Sequence, residues 1–195
     1  MRGAEVARKT NETDITLKLV IDGSGSAEIQ TGCGFLDHML TLFAFHGGFD
    51  LSILCKGDTH VDDHHTVEDI GIVLGKAFDS ALGGRSGIAR YGNFLLPMDE
   101  ALVLCAVDIS GRSHLNYDVE ISKPKIGIFD TELIEEFMLA VTRSMGLTLH
   151  FKQLAGENAH HIAEAVFKGF GRALRAACVA GVNGAKGVPS SKGVL

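Results

Sequence analysis

The sequence predicts an α+β fold, an α/β sandwich of two duplicated half-domains with helices packed on sheets, and three repeated patterns carry that prediction. A His-His-x-x-Glu motif at His64–Glu68 returns at His160–Glu164, an offset of 96 (160 − 64), each time heading an apolar pattern of helical spacing. An alternating strand pattern, Ile15, Leu17, Leu19, Ile21, returns as Val103, Cys105, Val107, Ile109, an offset of 88 (103 − 15). A second helical stretch ends at Gly47-Gly48 in the first half and at Gly146 in the second.

The elements follow in order. After a polar opening from Met1 to Asp14, the alternation predicts a strand over Ile15–Gly23, a helix over His38–His46, a strand over Phe49–Leu54 and a helix from His64 to Leu82. The second half repeats this: a strand ending before Gly111, a helix over Glu136–Ser144, a strand over Leu147–Phe151 and a helix from His160 to Cys178. The halves are placed at about 1–95 and 96–183, and the Gly- and Ser-rich 184–195 segment is expected to be a loop-like tail.

Composition narrows the function. At 195 residues and 46% hydrophobic content the chain can bury a real core. It has no run approaching the roughly 18 apolar residues a membrane span needs and no secretory apolar segment, so a cytoplasmic protein without membrane partners is expected. The net charge of −6 and the lack of a basic run argue against nucleic acid. Cys33, Cys55, Cys105 and Cys178 stand far apart without a C-x-x-C pair, so they are expected to be reduced and mostly buried.

The repeated motif points to metal. Residues four apart on a helix lie about 40° apart around its axis, so His64 and Glu68 share a face, as do His160 and Glu164. His65 and His161 point about 100° from their neighbours, so each helix is expected to serve two ions. A ligand set built by duplication has counterparts in both halves, which sets aside Asp69 (opposite Ala165) and His46 (opposite Ser144). It retains His38, which matches Glu136 when the helices are aligned on Gly48 and Gly146. The expected sites are His38, His65, His160 and Glu164, and Glu136, His161, His64 and Glu68. Imidazole and carboxylate donors without thiolate suit manganese, iron or zinc, and higher coordination favours manganese. His60, His114 and His150 have no repeated partner and are expected to be structural.

Several blocks resemble one family over nearly the whole chain: Asn11-Glu12-Thr13, Gly34-Phe35-Leu36-Asp37-His38-Met39-Leu40, Asp62 to Asp69, Pro97-Met98-Asp99-Glu100-Ala101, Ser110-Gly111-Arg112, His160-His161 with Glu164 and Phe167-Lys168, and Pro189-Ser190-Ser191-Lys192-Gly193. The family they resemble is imidazoleglycerol-phosphate dehydratase, of histidine biosynthesis. The resemblance implies half-domains like the second domain of ribosomal protein S5, two Mn2+ per active site, and trimers assembling into an octahedral homo-oligomer of 24 subunits with metals between neighbours. Many members carry histidine where this chain has Glu136, which sets that ligand apart. Bifunctional relatives carry an added phosphatase domain, and the chain, starting close to the dehydratase blocks, is expected to be monofunctional.

The implied reaction converts imidazole glycerol phosphate to imidazole acetol phosphate. With no carbonyl beside the reacting carbon, the substrate's imidazole has to act as electron sink; as imidazolate between two metals it expels the neighbouring hydroxyl and leaves a diazafulvene-like intermediate whose next C–H is acidic. By resemblance Glu12 is the base that takes this proton, although Glu100 occupies the matching position in the repeat. Also by resemblance, Arg90, Arg112, Lys168, Ser190 and Lys192 bind the phosphate; for Lys168 the competing account is an ordinary salt bridge to Glu164. Two other functions use similar parts: a metal-dependent phosphate-ester hydrolase, and a non-enzymatic metal-stapled storage shell.

Overall fold

A computed structural model of the chain describes residues 1–181, 187–193 and 195. The first half runs β1 (Gly3–Lys9), β2 (Thr13–Val20), β3 (Ala27–Gln30), α1 (Gly34–Gly47), β4 (Asp50–Gly57) and α2 (His64–Leu82). The second runs β5 (Tyr91–Met98), β6 (Ala101–Asp108), β7 (His114–Asp118), a short hairpin of β8 (Lys125–Ile126) and β9 (Phe129–Asp130), α3 (Leu133–Met145), β10 (Thr148–Ala155) and α4 (Ala159–Cys178). The sheets have orders β1-β2-β4-β3 and β5-β6-β10-β7, the same topology twice. In each, the last-named strand pairs parallel with its neighbour and the other pairs are antiparallel. The offset of 88 carries β2 onto β6 residue for residue, and an offset of 98 carries β4 onto β10.

Strand alternation decides which face is buried. On β2, Ile15, Leu17 and Leu19 point inward while Asp14, Thr16 and Lys18 face solvent, as a period of two dictates. The inner faces receive the helices: α1 lies on β3 and β4, α2 on β1 and β2, α4 on β5 and β6, and α3 on β7. The helices then meet across the halves, α1 on α4 and α2 on α3, giving four layers with the sheets outside. Phe43 of α1 joins Phe78 of α2 and Phe170 of α4 at ring separations of 6.1 and 5.2 Å, so one core spans both halves.

Glycine sets the helix crossings. A Cβ on Gly75 would come within 2.7 Å of the Val141 carbonyl oxygen and 3.1 Å of the Met145 nitrogen. On Gly171, which is Gly75 plus 96, it would meet the Phe43 carbonyl oxygen at 2.6 Å and the Gly47 nitrogen at 3.1 Å. The paired helices run in the same direction at these contacts, so the start of α4, with its histidine doublet, lies beside the start of α1, and the start of α2, with the other doublet, beside that of α3. Gly48 and Gly146 close α1 and α3 in left-handed conformation with φ of 63° and 66°, as the helix-stop pattern predicts.

The structure departs from the sequence reading in two places. The polar opening contains β1. The whole of β5 pairs in the second sheet, so the sheets divide between α2 and β5, ahead of the expected boundary near 95. Asp69, set aside as a ligand, is 6% exposed and bonded to Arg8 and Thr13. The expected limit near 183 and tail positions 184–186 and 194 fall outside the described residues. All four cysteines are free and buried, and burial raises each thiol pKa, so they are poor nucleophiles. Among the described residues no helix is long and apolar enough to cross a membrane.

Candidate metal centre

The helix starts place the histidine doublets. At α4, Asn158 is the N-cap: its side-chain oxygen accepts from the backbone N–H of His160 (2.9 Å) and His161 (3.4 Å), which fixes the first turn. At α2, Asp62 accepts from the His64 N–H at 2.9 Å. His38 sits in the opening turns of α1, beside the start of α4.

His38, His160 and Glu164 converge there, with donor atoms within 4.8 Å of one another. Among the described residues this is the one such group of three. Glu164 Oε1 lies 3.0 Å from His38 Nε2 and 3.3 Å from His160 Nε2. Donors at right angles around an ion with bonds of about 2.1 Å stand about 3 Å apart, so the spacing fits one divalent cation. The imidazoles are 45% and 43% exposed, whereas the Glu164 side chain is 10% exposed, so the group is open on one side.

Glu164 needs help to stay ionised. Burial alone would raise its pKa, but hydrogen bonds from Lys168 and His38 outweigh burial and the net shift is downward. Lys168 Nζ donates to Glu164 Oε2 at 2.8 Å and lies 3.3 Å from Met98 Sδ. The ordinary i, i+4 pair is therefore what this lysine makes here, in a buried setting that keeps a carboxylate charged.

The other candidates are placed differently. His65 does not join the group in its own chain: its Nδ1 is 3.0 Å from Asp58 Oδ2 and its Nε2 3.7 Å from Glu12 Oε1. His161 Nδ1 is 2.7 Å from Glu100 Oε2, with Nε2 3.7 Å from Asp99 Oδ2. In both, a carboxylate holds Nδ1 and raises the imidazole pKa, while Nε2 faces outward to a second carboxylate. His64 and His65 point apart, with ring planes at 85°. His64, Glu68 and Glu136 occupy positions on α2 and α3 that the duplication equates with His160, Glu164 and His38. All three are half-buried, but their donors do not gather as the first trio's do.

Glu12 and Glu100 are sharply distinguished. Glu100 accepts from His161, from Asn158 N at 2.8 Å and from Glu157 N at 3.3 Å, and the His161 bond first, then the backbone bond, lower its pKa to about 2. Among the described residues, no hydrogen bond to the Glu12 carboxylate is found, and its side chain is 51% exposed. Glu100 was legible as Glu12's repeat counterpart; Asp58, just after β4, was not, because the matching position just after β10 is Gly156 (58 + 98).

The other phosphate-binding candidates lie elsewhere. Arg90 bonds Asp108 at 2.7 Å and Pro189 O at 3.0 Å, and covers the Tyr91 ring. That holds the tail segment, in which Ser190 Oγ accepts from Lys192 N at 3.2 Å. Arg112 is exposed in the β6–β7 turn. Arg90 N donates to Ala177 O, and Ala177 lies 13 residues beyond Glu164 on α4 (177 − 164), roughly 20 Å along the axis. A three-carbon phosphate ester cannot reach from this trio to this arginine within one chain.

A family model described as imidazoleglycerol-phosphate dehydratase matches residues 31–174. The chain belongs to the imidazoleglycerol-phosphate dehydratase family. It is 57% identical over its full length to the imidazoleglycerol-phosphate dehydratase of Lachnoclostridium phytofermentans, covering 98% of that protein, and 56% identical to that of Oceanobacillus iheyensis, covering all of it. The crystal structure of imidazoleglycerol-phosphate dehydratase from Staphylococcus aureus subsp. aureus superposes with a TM-score of 0.83 at 43% identity, over 91% of this chain and 99% of that one. The Pyrococcus furiosus structure gives 0.84 at 45%, over 97% and 100%. Imidazoleglycerol-phosphate dehydratases are hydro-lyases, and membership argues against the ester-hydrolase and storage readings.

Proposed function

We propose that this chain dehydrates imidazole glycerol phosphate to imidazole acetol phosphate in histidine biosynthesis, at sites completed by neighbouring copies. The observation that carries the reading is the convergence of His38, His160 and Glu164 in a chain of this family. The donor types favour Mn2+, and the second trio, Glu136, His64 and Glu68, is its counterpart for a second ion. His65 and His161, anchored through Nδ1 and with no hydrogen bond at Nε2, where a carboxylate stands 3.7 Å away, supply the fourth ligand of each site to a neighbour's trio. The roughly 20 Å along α4 between Glu164 and Ala177, which pairs with the Arg90 backbone, favours the same arrangement, and repeated through all copies it would build the 24-subunit shell.

Two bound divalent ions would favour the imidazolate form of the substrate ring, the electron sink for departure of the adjacent hydroxyl. Lys168 keeps Glu164 ionised so that it binds as a carboxylate, and Asn158 keeps the doublet aimed. Glu12 takes the proton from the carbon next to the one that lost hydroxide, giving an enol that relaxes to the ketone; hydroxide and proton together make the water eliminated. Its freedom from hydrogen bonds suits a base, whereas Glu100 is too fully occupied for that task. Arg112, Ser190 and Lys192 take the phosphate, with Arg90 holding the tail in place beside them and Lys168 adding its remaining donors. The test is a metal-stripped preparation given imidazole glycerol phosphate while Mn2+ is titrated back. A ketone that retains phosphate, formed only as metal is restored, is expected; release of inorganic phosphate, or turnover without metal, would overturn the reading.

A further inference from the structure

The duplication provides an internal control for a buried polar network behind Glu12. Asp69 Oδ2 accepts from Thr13 Oγ1 at 2.5 Å and from the Arg8 guanidinium, with Thr13 2% and Asp69 6% exposed. Thr13 in turn closes the β1–β2 turn: Thr10 N donates to Thr13 O at 2.8 Å, while Thr10 Oγ1 accepts from Thr13 N at 3.0 Å and from Glu12 N at 3.1 Å. In the second half the same backbone positions carry Leu96, Met98, Ala101 and Ala165 in place of Arg8, Thr10, Thr13 and Asp69. An apolar set therefore builds the same hairpin on the same helix, and burying a carboxylate with its partners is not something the fold demands.

What differs between the halves is how the turn's glutamate is restrained. Glu100 is held by its own carboxylate, through His161 and two backbone N–H groups. Glu12 is held from behind, through the main chain and Thr13, and its carboxylate, 3.7 Å from His65 Nε2, accepts no hydrogen bond among the described residues. We propose that Asp69 is a positioning residue for Glu12: through Thr13 and Arg8 it fixes the 10–13 turn, so that the carboxylate can be both well placed and free of hydrogen bonds. This rests on Glu12 as the base proposed above.

The test uses the assembled, metal-loaded enzyme. Thr13→Val removes the hydroxyl that reaches Asp69, and Asp69→Asn removes the acceptor charge; each is expected to lower kcat at least about tenfold with KM and bound metal held within about twofold, because a small misplacement of a reacting group is expensive. Thr13→Ser restores the hydroxyl and is expected to recover most of kcat. If Asp69→Asn does not fold, the Thr13 pair decides. Wild-type kcat in Thr13→Val, a loss confined to KM or metal content, or a Thr13→Ser no better than Thr13→Val would overturn the proposal. Glu12→Gln separates the two layers: turnover at the wild-type rate removes Glu12 as base, whereas an inactive Glu12→Gln beside a fully active Thr13→Val removes only the role of Asp69.

Discussion

Asp22 shows how a single charge ties the first strand to the rest of the chain. The Arg2 guanidinium beside it pulls its carboxyl pKa from 3.8 to about 2, and Arg2 also donates to the Cys178 carbonyl at the end of α4. A carboxylate whose folded pKa is depressed stabilises fully above its unfolded value and loses that contribution as pH falls through the folded one. Asp22 is 41% exposed, so screening reduces the effect to about 1 kcal/mol or less. Asp22→Asn is expected to unfold at lower urea than wild type near pH 6, with the gap closing between about pH 4 and pH 2. A gap that persists undiminished to the acid end would show that the charge is not the cause. At this same scale the sequence was most legible where chemistry repeated. His160 with Glu164 follows from helical spacing alone, and His38 from alignment on two glycines. Asp58 and Asp69 were not legible as partners, because neither is matched by an acid in the repeat and their roles come from contacts with distant strands and turns.

Helix pairing is governed by Gly75 and Gly171, which let backbones touch where any side chain would wedge them apart. Gly75→Ala and Gly171→Ala are each expected to destabilise by about 1–3 kcal/mol in denaturant titrations, since the atoms in the way are main chain. Gly171→Ala should also weaken metal binding at the His38 trio, because the α1–α4 crossing sets the gap between His38 and Glu164. Equal metal affinity in both variants would disconnect the crossing from the site. The close approaches at these two positions are between helices. The long elements were readable because their periodicity is strong. β1 was not, for it is an edge strand whose inward residues are Ala4, Val6 and Arg8, too small or polar to mark an alternation. β5 was hidden by Pro97, by the run Phe94-Leu95-Leu96, and by Gly92, which sits against the α4 backbone.

On the scale of the molecule, the two sheets turn different outer faces to their surroundings. The first presents Glu5, Lys9, Asp14 and Lys18 together with Leu54, whereas the second exposes Leu95 and Leu104, paired across β5 and β6, and Tyr91. Duplication in the sequence showed which positions are equivalent, and it could not show whether equivalent ligands meet inside one chain or between chains. That is why His65 was grouped with a trio it does not reach in its own chain. If sites are shared, two defective chains can repair each other: co-expressed His65→Ala and Glu164→Gln proteins are expected to regain dehydratase activity that neither has alone. No recovery in mixed assemblies that contain both chains would place all the ligands within single subunits.

The pairing of α1 with α4 and α2 with α3 bears on descent as well as catalysis. A polypeptide of half this length would own both helices of its layer and neither of their mates, so it could bury them only by docking face to face with a twin. Fusion of the two twins into one gene would then have freed one member of each formerly identical position to drift, leaving an acid behind one hairpin and alanine behind the other.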